Sequence, residues 1–110
     1  MRLSKQYIDV FVQVISIYLK ENTRAELRLY GSRVNDELKG GDIDLLLLVD
    51  SEKLAQNLKM LKPEIFGKIF TYIDEQKIDL LITDFKNLEM DMFVQMIMKD
   101  SVLIYSWGDN

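Results

Sequence analysis

The stretch Asp42-Ile43-Asp44-Leu45-Leu46-Leu47-Leu48-Val49 decides the architecture of this 110-residue chain. From Ile43 to Val49 the run is apolar apart from Asp44, and it has the length of a strand. Such a run marks a strand covered on both faces and therefore central in its sheet. Upstream, Ala25, Leu27 and Leu29 alternate with Glu26, Arg28 and Tyr30, the pattern of a half-exposed strand that ends at Gly31. Only Arg33 to Gly41 separate Gly31-Ser32 from Asp42, a connection short enough to favour antiparallel neighbours. Downstream, Lys77 to Thr83 reads as a third strand. It is reached from the second through helical sequence, which favours a parallel pair. The end of strand one and the starts of strands two and three then share one edge of the sheet. Gly31, Ser32, Asp42, Asp44 and Asp79 all fall at that edge.

The remaining segments read as helices. Ile8, Phe11, Val12, Ile15 and Leu19 recur at helical spacing between Ser4 and Leu19, and Val10, Val14 and Ile17 form a second stripe that predicts cover on two sides. Ser51 is placed to cap a helix carrying Leu54, Ala55, Leu58 and Leu61 as far as Pro63. Ile65, Phe66, Ile69, Phe70 and Ile73 continue as a second helical stretch. Asp84 is placed to cap one last helix in which Phe85, Leu88, Met92, Phe93, Met96 and Ile97 share a face, before a short strand from Val102 to Tyr105. Met90, Met92, Met96 and Met98 read mainly as core filling, with contact to a partner as the other reading, since methionine surfaces adapt readily. The fold class predicted is α/β (α+β), a small mixed sheet with helices packed against it. Residues 1–110 are expected to form a single domain.

Composition narrows the chemistry. Lys and Arg number 14 against 18 Asp and Glu, a net charge of −4, and the chain has neither His nor Cys. Thiolate chemistry, disulfides, imidazole acid–base catalysis and His-ligated zinc are excluded, leaving carboxylates, hydroxyls, amines and an oxygen-ligated metal. Residues 1–41 carry a net +2 and residues 42–110 a net −6, so the sign changes at Asp42. The acid excess argues against direct nucleic-acid binding. Arg2 and Lys5 precede the apolar run Val10–Leu19, but Asp9 and Gln13 break it and it is too short for a bilayer. A cytoplasmic protein without a membrane anchor is expected.

Asp42 and Asp44 flank one residue at a strand start, so both project from one face about 6.6 Å apart along the backbone. Asp79 joins them if strands two and three are adjacent. Two carboxylates ~5 Å apart at an effective dielectric of ~20 repel by roughly 3 kcal/mol, so such a cluster calls for a cation or an elevated pKa. Oxygen ligands alone point to Mg2+ or Mn2+, and a pair of such ions suits in-line displacement at phosphorus. Gly31 permits close approach of a phosphate, and Ser32 adds a hydroxyl and an amide donor. An EF-hand fails because Leu46 stands at a ligand position and the required Gly and Glu are missing. No P-loop or Rossmann glycine pattern occurs.

Gly31-Ser32, nine intervening residues, Asp42-Ile43-Asp44 with its apolar run, and then Ile78-Asp79-Leu80-Leu81 resemble the polymerase-beta-like nucleotidyltransferase superfamily, and the size resembles its minimal nucleotidyltransferases. The resemblance spans about Leu29 to Ile82, and most of the chain once the first and last helices are included. It implies Asp42 and Asp44 as metal ligands, Asp79 as a third carboxylate that assists the attacking hydroxyl, and Gly31 with Ser32 as the phosphate-binding pair. Arg33 matches a commonly basic position that can touch a phosphate or lie on the surface. Asp36 stands where many members have Gly, and Gly41 where Ser is frequent. The resemblance further implies transfer of AMP from ATP, with Mg2+ or Mn2+ and two ions expected. The acceptor implied is a tyrosine of an all-helical HEPN-type toxin protein, with this chain as the antitoxin. Two rivals stand beside that reading: a non-catalytic antitoxin that neutralises its partner by docking, and a small-molecule nucleotidyltransferase that would need a homo-oligomer to build its acceptor pocket.

Overall fold

A computed structural model describes residues 3–34 and 42–108, with the backbone alone at Ser32 and Arg33. Four strands, β1 (Ala25–Tyr30), β2 (Ile43–Val49), β3 (Ile78–Asp84) and β4 (Val102–Trp107), form one sheet in the order β3-β2-β1-β4. β1 runs antiparallel to both β2 and β4, and β2 runs parallel to β3. The mixed sheet expected from the connection lengths is therefore present. Helices α1 (Lys5–Tyr18), α2 (Glu52–Met60), α3 (Lys62–Ile69), α4 (Phe85–Leu88) and α5 (Met92–Lys99) complete the chain, and a 3-10 turn at Gly31–Val34 follows β1.

β2 is central because both of its faces are covered. Leu45, Leu47 and Val49 join Leu27, Leu29, Leu80 and Ile82 in the main core beneath Phe11, Ile15, Leu58, Ile65 and Ile69 of α1, α2 and α3. Leu46 and Leu48 face the other way, into a smaller cluster with Ile97, Tyr30, Leu81, Phe85 and Met98. The apolar residues of β2 thus serve two unequal layers, three helices on one side and the shorter α4 and α5 on the other. The caps match the sequence: Ser51 Oγ accepts from the Leu54 amide at 3.0 Å and Asp84 Oδ1 from the Asn87 amide at 2.9 Å. Pro63 lies in the first turn of α3, where its missing N–H leaves no helical bond unmade.

Three expectations require correction. The last helix is two helices, because α4 closes at Glu89 and Asp91 starts α5, its Oδ1 accepting from the amides of Phe93 at 2.9 Å and Val94 at 3.3 Å. In α5 Val94 and Ile97 are buried, while Phe93, Met92 and Met96 are exposed to 62%, 77% and 70%. Met90, Met92 and Met96 are consequently not core filling, and only Met98 packs against buried neighbours. The second stripe of α1 is likewise covered in part: Val14 is buried, Val10 half-buried and Ile17 exposed. Finally, β4 runs to Trp107, whose backbone pairs with Ala25 and whose Nε1 donates to Ser16 Oγ at 2.8 Å.

Candidate active site

Alternation along the strands places the site on the α5 side of the sheet. Asp44 precedes Leu46 and Leu48 on that face, and β2 and β3 are in register so that Asp44 lies directly beside Asp79. Neighbouring strands are ~4.8 Å apart, so the two carboxylates start from adjacent backbone positions and project together. On the other flank of β2, Tyr30 is the register partner of Asp44. Asp42 stands immediately before β2, half exposed, with its Oδ2 3.5 Å from Lys77 Nζ. The first residue of β2 is tied to the same segment, Ile43 N donating to Lys77 O at 3.2 Å.

Electrostatics mark Asp44 as the strained member. Burial raises its pKa first, the charges of Asp79 and then Asp42 raise it further, and Lys77 opposes them. Tyr30 is also pushed above the ordinary phenol value, by burial and then by the charges of Asp44 and Asp79. Sequence reasoning placed Tyr30 on the exposed side of β1 and gave it no role. The signal was available, since a short antiparallel connection sets the last residue of strand one against the first acids of strand two.

Gly31 takes φ +78°, and a Cβ there would collide with Asp44 Oδ2. The backbone therefore rests directly on the carboxylate, a place only glycine fills without strain. Gly31→Ala is expected to lower the melting temperature by roughly 5–10 °C, from the ~1–2 kcal/mol cost of a left-handed residue, and to weaken divalent-cation binding by displacing Asp44. Thermal melts with and without Mg2+ check both. Ser32 and Arg33 lie in the turn that follows, Asp36 and Gly41 lie outside the described residues, and so the phosphate-binding expectation is carried by the Gly31 backbone alone.

Among the described residues no three acidic side chains are gathered closely enough to hold an ion as they stand, and Asp42 is turned to Lys77. The donor chemistry nonetheless suits an oxygen-ligated divalent cation. Asp44 is a carboxylate whose ionised form is disfavoured by burial and by two acids, and a bound cation relieves that penalty.

A mixed α/β sheet with carboxylates side by side at the starts of two parallel strands, and a glycine turn against them, is a frame for metal-assisted chemistry at phosphorus. A family model described as a nucleotidyltransferase domain matches residues 12–107, and the chain belongs to that family. It is a transferase domain of the nucleotidyl-transfer class, whose members generally use a nucleoside triphosphate and a divalent metal. No curated protein is significantly similar to the chain. Among the described residues no helix is long and apolar enough to cross a membrane.

Proposed function

We propose that the chain is a metal-dependent nucleotidyltransferase that moves AMP from ATP onto a tyrosine hydroxyl of an all-helical HEPN-type toxin, and so acts as its antitoxin. The observation that supports the transfer chemistry best is the register pairing of Asp44 with Asp79, flanked by Gly31 in the turn that follows β1. In this reading Asp42, Asp44 and Asp79 hold the divalent cation, Mg2+ or Mn2+ and two ions when fully loaded. A cation held there would supply charge neutralisation for the triphosphate and the departing pyrophosphate. Asp42, now 3.5 Å from Lys77 Nζ, would have to give up that contact to serve as a ligand. Asp79 takes the proton of the attacking hydroxyl as its oxygen bonds to the α-phosphorus and the bond from that phosphorus to the pyrophosphate oxygen breaks. By the family resemblance Gly31 and Ser32 would bind the phosphates, with Arg33 beside them in the turn.

The acceptor, the antitoxin role and a cytoplasmic setting rest on the family resemblance. The exposed side chains of Met90, Met92, Phe93 and Met96 support a second reading, neutralisation by docking without transfer, because they offer an adaptable apolar surface. Incubating the chain with α-labelled ATP, Mg2+ and the product of the neighbouring reading frame separates the two. Label retained on that product supports transfer. A tight, unlabelled complex supports docking and removes the adenylylation proposal.

A further inference from the structure

α5 covers the acid-bearing face of the sheet incompletely. Between it and the end of β1 lies a cavity of about 310 Å3, lined by Tyr30, Gly31, Val34, Met96, Ile97 and Asp100. That volume is at the low end of ligand pockets, which run from roughly 300 to 1,000 Å3. Gly31 is common to this cavity and to the acid site, where its missing side chain would collide with Asp44 Oδ2. The Gly31 backbone thus borders the cavity and touches the Asp44 carboxylate, and Tyr30, a wall of the cavity, is the register partner of Asp44 on β1.

The wall chemistry selects the occupant. Tyr30, Val34, Met96 and Ile97 present aromatic and apolar surface, and Asp100 brings a negative charge, so a phosphate is disfavoured and a flat, uncharged ring is favoured. Met96 is largely exposed, and its flexible thioether is free to settle on such a ring. A carboxylate only accepts hydrogen bonds, so a base with an exocyclic amine satisfies Asp100, whereas uracil offers only its N3–H between two carbonyl oxygens that repel the carboxylate.

We propose that this cavity is the nucleoside subsite, holding the base between Tyr30 and Met96 with its amine donating to Asp100, and that it discriminates against uracil. The assignment rests on the nucleotidyl-transfer reading above. A different cavity, about 510 Å3 and lined by Phe66, Phe70, Glu75, Gln76, Lys77 and Ile78, would take the base if the assignment is wrong.

Binding of α,β-methylene-ATP and α,β-methylene-UTP to the full chain with Mg2+, by calorimetry and by backbone amide shifts, tests this. The adenine analogue is expected to bind roughly tenfold tighter, with shifts at Gly31, Ile97 and Asp100. Asp100→Asn, which can both donate and accept, is expected to bring the two analogues within twofold. Met96→Ala is expected to weaken both several-fold. Asp100 and Met96 are exposed, and an unchanged melting temperature shows that each variant folds. Equal affinity for both analogues, an unchanged ratio in Asp100→Asn, or shifts centred on Phe66, Phe70 and Gln76 to Ile78 would overturn the subsite while leaving nucleotidyl transfer standing. Failure to bind either analogue would overturn both.

Discussion

Asp44→Asn is expected to reduce nucleotidyl transfer roughly a thousandfold, about 4 kcal/mol of lost transition-state stabilisation, while making the metal-free protein more stable at neutral pH. The two effects share one cause. Burial, Asp79 and Asp42 raise the pKa of the Asp44 carboxyl in the folded chain, so the folded state binds this proton more tightly than the unfolded state does. The stability attached to it is fully present below the ordinary carboxylate pKa and is lost as pH rises through the raised folded value. Asparagine mimics the protonated form and removes that loss. Melts in EDTA are therefore expected to show the variant above the wild type at pH 7 and level with it near pH 3. Mg2+ should raise the melting temperature of the wild type and leave the variant nearly unmoved. A variant that melts lower than the wild type at pH 7 in EDTA would show that Asp44 is a structural group and not a charge held in reserve for a cation.

Leu47→Ala carries the largest expected structural cost. Leu47 is fully buried in β2, between register partners Leu27 on β1 and Ile82 on β3, and within the core beneath α1, α2 and α3. Truncation there removes a buried isobutyl group from a layer tied on both flanks, where the backbone has little freedom to close the void. The expected loss is roughly 2–5 kcal/mol, on the order of 10–20 °C in melting temperature for a domain of this size. Chemical denaturation checks it. A loss below about 1 kcal/mol would mean that the core repacks around the site and that β2 is less central than its two covered faces indicate.

The strands were legible because their signals are local and unambiguous. Leu45 to Val49 has no polar interruption, Ala25 to Tyr30 alternates cleanly, and the short connection between them permits little but an antiparallel pair. The order and direction of the strands put Asp44 and Asp79 at one edge, whereas their direct pairing depends on a parallel register that alternation does not set. The last helix was not legible, because the stripe Phe85, Leu88, Met92, Phe93 and Met96 continues at helical spacing straight through the break. Asp91, an acid ahead of a helical run, was the available sign, but a single capping side chain is easily outweighed by periodicity. α4 ends at Glu89 and α5 begins after Asp91, and beyond that break Phe93 and Met96 lie on the surface. Lys77 beside Asp42 is a contact between two exposed side chains far apart in sequence, for which no local pattern exists.

The acid site, the cavity beside Gly31 and the exposed face of α5 lie on the same side of the sheet, the side where α4 and α5 leave the strands thinly covered. On the proposed reading, this thin layer is where the carboxylates would meet the triphosphate and where the base would rest, with Met90, Met92 and Phe93 left exposed beside it. The opposite side, with three helices, supplies the stability that holds β2 and β3 in register.

The central claim is that the α-phosphoryl group with its nucleoside is what moves. Parallel incubations with ATP labelled at the α- or the γ-phosphate, in Mg2+ and with the protein acceptor present, test it most directly. The α label is expected to stay on protein, the γ label to leave as pyrophosphate, and both signals to vanish in Asp44→Asn. Retention of the γ label on protein, or α labelling undiminished in that variant, would contradict it.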